Sequence, residues 1–130
     1  MPESGGVHYS IAAVHLRLGN LEQALAATEK ESFGFLRLQH EAIIYHEMGD
    51  FETAQQKLQE LVDTYGDDAS AQQAQVYAAW GDIDETFAAL ERGVAVRDPG
   101  IIYIKGSRRL TELLQDDPRY DDLLRRMNLQ

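Results

Sequence analysis

A chain of 130 residues with 44% hydrophobic residues, three prolines and no cysteine has the length of one domain and enough apolar material for a core. The missing cysteines exclude a disulfide framework and a thiolate metal site, which fits a reducing compartment or indifference to redox state. The formal net charge of -10 is uneven: residues 1–100 hold six Lys/Arg against 17 Asp/Glu, a balance of -11, whereas 101–130 hold six against five, a balance of +1. Such an acidic chain lacks the basic footprint of a nucleic-acid surface, and its charge reads as what keeps a helical protein dispersed. The start, Met1 to Gly6, is short and polar with no apolar stretch behind it, and no run of about 18 apolar residues occurs. We therefore expect no signal peptide, no membrane association and a cytoplasmic location.

In chain order, apolar periodicity predicts helices over about 7–18, 21–31, 35–48, 51–64, 69–80 and 83–96. Their apolar faces follow i, i+3, i+4, i+7 spacing: Leu21, Ala24, Leu25 and Thr28; Phe51, Ala54, Leu58, Leu61 and Val62; Ile83, Phe87, Leu90 and Val94. Three stretches repeat one pattern, Ala12 to Ala24, Ala42 to Ala54 and Ala74 to Thr86. Each has a small residue seven before a glycine (Gly19, Gly49, Gly81) and a His or Tyr four before it (His15, Tyr45, Tyr77). Each continues with Asn or Asp and an apolar residue. The glycine ends a helix where a positive φ is cheap without a Cβ. Asn20, Asp50 and Asp82 are placed to cap the next helix, with Gln23 and Glu85 three further on as a capping box requires. The alanines allow close approach of neighbouring helices. Met48 and Trp80, just before the turns, read as packing residues.

After Asp98-Pro99-Gly100, which reads as a sharp stop, come Ile101 to Lys105, then Leu110 to Leu114, then a final helix with Asp117 as cap and Pro118 in its first turn. Tyr120, Leu123, Leu124 and Met127 make the apolar stripe of that helix.

The repeated pattern resembles the tetratricopeptide repeat family over roughly residues 5–98. The matching positions are Ala12, Ala42 and Ala74, Tyr45 and Tyr77, the Gly-Asp-aromatic turn, and the alanine of the second helix. The glycines stand 30 and 32 residues apart, where the family period is about 34, and His15 replaces the first aromatic. The resemblance implies an all-α fold: antiparallel helix-turn-helix pairs stacked as a short right-handed solenoid of about three repeats (5–34, 35–66, 67–98). The capping helices at 99–130 would cover the last repeat within one domain. The end, Arg97-Asp98-Pro99-Gly100 followed by Asp117-Pro118-Arg119-Tyr120 and Leu123-Leu124-Arg125-Arg126-Met127, looks like the carboxy-terminal repeat region of multidomain bacterial regulators. In those, the repeats follow a winged-helix, cyclase or kinase domain.

Chemical constellations are weak by comparison. His40 and His46 are six apart, about 240° around a helix, and His8 and His15 are too far apart along an axis to share one ion, so no metal is expected. No serine sits in a nucleophile elbow, and no phosphate loop occurs. The pairs Asp67-Asp68, Asp116-Asp117 and Asp121-Asp122 fall at predicted helix starts, where the dipole favours them. In the tail, Arg108, Arg109, Arg119, Arg125 and Arg126 are interleaved with acids. The expectation is no catalysis, no cofactor and no nucleic acid.

In such stacks the first helix of each pair lines the concave face. The repeat register then gives Tyr9, Ala13, Leu16 and Arg17, then Gln39, Ile43, His46 and Glu47, then Ala71, Gln75 and Ala78 as a partner-binding groove. The carboxylate clamp of chaperone-tail binders is missing, because its positions hold Tyr9, Ala13, His40, Asp68 and Gln72. An apolar or amphipathic helix or peptide of a protein partner fits such a groove better. The alternative is self-association as a homodimer or scaffold through an exposed apolar patch on the outer helices or the tail.

Overall fold

A computed structural model describes residues 7–98, 101 and 106–127. Among these the regular structure is helical: α1 (Val7–Arg17), α2 (Leu21–Glu29), α3 (Gly34–Glu47), α4 (Phe51–Tyr65), a 3-10 turn (Gly66–Ala69), α5 (Ser70–Ala79), α6 (Ile83–Val96), α7 (Arg108–Leu114) and α8 (Pro118–Arg126). The six helices expected from periodicity stand within two residues of their predicted ends. Only the start of the fifth differs in kind, opening through the 3-10 turn. Met1 to Gly6 at the start, and Pro99, Gly100, Ile102 to Lys105 and 128–130 in the tail, lie outside the described residues.

The three repeated turns share one hydrogen-bond scheme. Gly19, Gly49 and Gly81 adopt φ of +78°, +85° and +80°. Their N–H groups donate to Leu16, His46 and Ala78, and the next residues, Asn20, Asp50 and Asp82, donate to the carbonyls of His15, Tyr45 and Tyr77 at 2.9 Å. This pairing closes the orphan carbonyls of a helix end on a left-handed residue. The carbonyls of Asn20, Asp50 and Asp82 then accept from Ala24, Ala54 and Thr86. One residue thus terminates one helix and starts the next, which explains the fixed spacing from the His or Tyr to the small residue.

Capping departs from expectation in two respects. Asp50 Oδ1 accepts from Thr53 N–H at 3.1 Å and Asp82 Oδ1 from Glu85 N–H at 3.2 Å, but the Asn20 side chain makes no cap bond. The reciprocal half of a capping box needs the cap residue's own N–H. In Asn20 and Asp82 that group is already given to His15 and Tyr77, so Gln23 and Glu85 find no donor there.

By internal contact the chain divides into a unit of residues 1–64 and a unit of residues 65–130. In the first, Ala12, Ala24, Ala42, Ala54, Ile44 and Leu61 are fully buried, with Leu38, Ile43 and Leu58 nearly so. The small residues of the repeat grammar are therefore inside. Phe51, at the first position of α4, is 61% exposed, and Met48 is 38% exposed. Met48 is thus more than half covered, whereas Phe51 keeps an edge contact with His46 and leaves most of its ring outside the core.

Two buried carboxylates of this unit make long-range ties. The Glu31 carboxylate, 3% exposed, accepts from Tyr9 N–H at 2.8 Å and Phe33 N–H at 2.9 Å. A residue after α2 thus satisfies the first turn of α1. Glu41, 6% exposed, lies between Arg37 Nε at 3.4 Å and Lys57 Nζ at 3.3 Å.

Among the described residues, the core cluster of the second unit is built from Ala71, Ala74, Ala78, Phe87, Ala89 and Leu90 of α5 and α6, Ile101 before α7, Leu110 and Leu114 of α7, and Tyr120, Leu123 and Leu124 of α8. The tail helices therefore cover the last helix pair, and Met127 completes the predicted stripe of α8. Asp117 caps α8 through Arg119 N–H at 2.9 Å, with Pro118 in the first turn. Asp98, buried after α6, accepts from Ala71 N–H at 3.0 Å. It repeats in this pair what Glu31 does in the first. Helix α6 ends on Arg97 at φ +57°, a left-handed residue with a side chain.

Candidate functional site

The predicted groove residues separate into three groups. Tyr9 and Gln39 are brought together: Gln39 Nε2 donates to Tyr9 Oη at 3.2 Å, and the Tyr9 ring stacks on His40 with centroids 4.2 Å apart. Gln39 and Ile43 are each only 2% exposed, so they brace helices rather than offer surface. Ala13, Leu16 and His46 are half-buried, and Arg17 and Glu47 are exposed. These five remain reachable in the first unit.

The three α5 residues need correction. Ala71 and Ala78 are 8% and 7% exposed and belong to the core that includes α7 and α8. Gln75 Nε2 donates to Ser107 Oγ at 3.0 Å, and its oxygen accepts from Arg109 at 3.0 Å. The face of α5 expected to line a groove is occupied by the chain's own α7. The sequence signal was present, since Leu110 and Leu114 require an apolar host, but their host could not be read from spacing.

Exposed apolar side chains mark a different surface. Among the described residues, nine large hydrophobic side chains are exposed: Val7, Ile11, Val14, Leu18, Phe33, Met48, Phe51, Ile83 and Val96. Seven of these lie in residues 1–64, and none lies on α7 or α8. At the α3–α4 turn the His46 ring meets the Phe51 ring edge-on at 4.8 Å. The neighbouring Glu47, Asp50 and Glu52 are exposed. This makes an apolar step rimmed by carboxylates.

In the second unit an open cleft of about 620 Å³ is lined by Trp80, Gly81, Asp82, Ile83, Asp84, Asp117 and Arg119. Its charges are engaged with one another. Arg119 donates to Asp117 at 2.9 Å and to Asp84 at 3.1 Å, and its guanidinium lies 4.3 Å from the Phe87 ring centre. The hydrogen bonds from Arg119 hold the Asp117 carboxyl below its ordinary value, and those carboxylates in turn raise the guanidinium. Tyr77 is pushed up by burial and then by the Glu85 charge. With Asp82 capping α6 and Asp117 capping α8, the acids of the cleft hold helix starts in place.

Among the described residues, no group of three or more His, Asp or Glu side chains is arranged to hold a metal ion, and no helix is long and apolar enough to cross a membrane. Comparison of the chain with protein-family models, with curated proteins and with solved structures finds no match.

Proposed function

We propose that this chain is a tetratricopeptide-type helix-pair module that holds another protein and performs no chemistry of its own, as a cytoplasmic, regulatory part of a bacterial signalling or transcription system. The repeated glycine turns, alike in their backbone hydrogen bonds, support the repeat reading. The observation that carries the binding role is the apolar step at the α3–α4 turn, where Met48 and Phe51 are 38% and 61% exposed. Apolar surface left open beside polar residues marks interaction sites. The partner element we assign is an amphipathic helix. Its apolar ridge rests on Met48 and Phe51 beside His46, and its Lys or Arg flanks face Glu47, Asp50 and Glu52.

The test is affinity capture with purified wild type and with a Met48→Glu, Phe51→Glu double variant. A captured partner should bind the double variant at least about tenfold more weakly, a loss that truncating anchor residues commonly produces. The variant's helical circular dichroism and Tm should be unchanged, and Val14→Glu, on α1, should retain the partner. Equal capture by wild type and the double variant would remove the α3–α4 turn from consideration.

A further inference from the structure

The outer face of α1 carries a second apolar surface with its own geometry. Val7, Ile11 and Val14, with Leu18 just beyond the helix end, are 46%, 43%, 56% and 68% exposed. Leu18 N–H still donates to Val14 at 3.1 Å, so the four lie on one continuing helical row. Steps of four, three and four keep side chains on a single stripe. Ala12, on the opposite side, is fully buried.

We propose that this row is the contact between two copies of the chain, paired antiparallel through α1. The occupant follows from the pattern. Steps of four, three and four read the same in either direction. A two-fold axis between Ala12 and Ala13 therefore sets Val7 against Leu18 of the second copy and Ile11 against Val14 of the second copy, so all four side chains are matched at once. An isologous interface needs this kind of self-complementary surface.

Charge points the same way. The chain carries -10, so two copies repel over most of their surface. Residues 4–21 form the longest stretch without a carboxylate, and the ionisable side chains of α1 are His8, Tyr9, His15 and Arg17. Two copies meet there with no acid facing an acid. Exposed Ser10, small and polar, stands beside the row and lets the helix axes come close.

The size of the contact sets its strength. Four partly exposed aliphatic side chains offer less than the about 800 Å² per partner of a standard interface, so the dimer belongs to the weak, reversible class. The inference does not depend on the partner-holding role, which uses the α3–α4 turn.

Sedimentation velocity on the full chain, from about 1 to 500 µM, spans the range of such contacts. The expected result is a dimer fraction that rises with concentration, and a Val14→Glu variant whose self-association is weakened at least tenfold with unchanged helicity and Tm. Register is read by cross-linking, because the chain has no native cysteine. Mixed Ile11→Cys and Val14→Cys chains, oxidised with copper-phenanthroline, should form the 11–14 disulfide faster than either variant forms its own homodisulfide. A wild type that stays monomeric at every concentration, a dimer indifferent to Val14→Glu, or faster 11–11 cross-linking would each overturn the proposal.

Discussion

Glu31 and Asp98 are single residues that join the end of one helix pair to its beginning. Each is buried, each follows the second helix of a pair, and each accepts an N–H from the first turn of the first helix, 22 and 27 residues earlier. The first N–H groups of a helix have no partner within it, and a buried one without a partner is costly. A charged acceptor is worth about 1.5–3 kcal/mol per bond. Glu31→Gln keeps the shape but turns an amide NH2 toward one of two N–H donors. It should therefore lower unfolding stability by about 1–3 kcal/mol, and Asp98→Asn by an amount in the same range. Urea titration of both variants measures this, and losses below about 0.5 kcal/mol in both would mean that water replaces the bonds. Glu31 did not stand out in the sequence, and Asp98 did so only as part of a stop signal, because caps are sought within three positions of a helix start and these lie a whole helix pair away.

At the scale of elements, the helices owe their places to spacing and to close packing. The periodic faces were legible, but the first residues after the turns, Phe51 and Ile83, proved exposed at 61% and 36%. At these two helix starts the leading edge of the stripe stays uncovered, whereas Leu21, after the first turn, is half-buried. Gly93 in α6 shows the opposite case, a helix position at which packing overrides propensity. A Cβ there would come within 2.5 Å of Ile101 Cγ1 and 3.2 Å of Ser70 Cβ. In an open helix Gly→Ala stabilises by about 1 kcal/mol. Here the added methyl meets a buried, β-branched side chain, and overpacking of a tight core costs about 1–3 kcal/mol. Gly93→Ala should therefore lower Tm, as calorimetry would show, and a raised Tm would mean that Ile101 yields without strain.

For the whole molecule, the division into residues 1–64 and 65–130 carries its own test. Among the described residues, the core cluster of the second unit runs from Ala71 to Leu124 with Met127 packed on it, and the long-range polar ties from Asp98 to Ala71 and from Arg126 to Glu91 are internal. A fragment of 65–130 has the size at which many domains fold alone. It should keep helical circular dichroism and unfold cooperatively on heating, whereas a random-coil spectrum would show that it depends on the first unit. The sequence by itself determined the helices, their glycine turns and the small buried residues. Those features depend on hydrogen bonds spanning about five residues and on a period of 3.6, both local to the chain. Only the tertiary structure decided which faces stay open. It put α7 over the α5 face that held Ala71, Gln75 and Ala78, closed the helix pairs with Glu31 and Asp98, and left Val7, Ile11, Val14 and Leu18 bare. An apolar stripe records that a helix needs a neighbour, whereas the neighbour it finds is set by contacts between residues far apart in the chain.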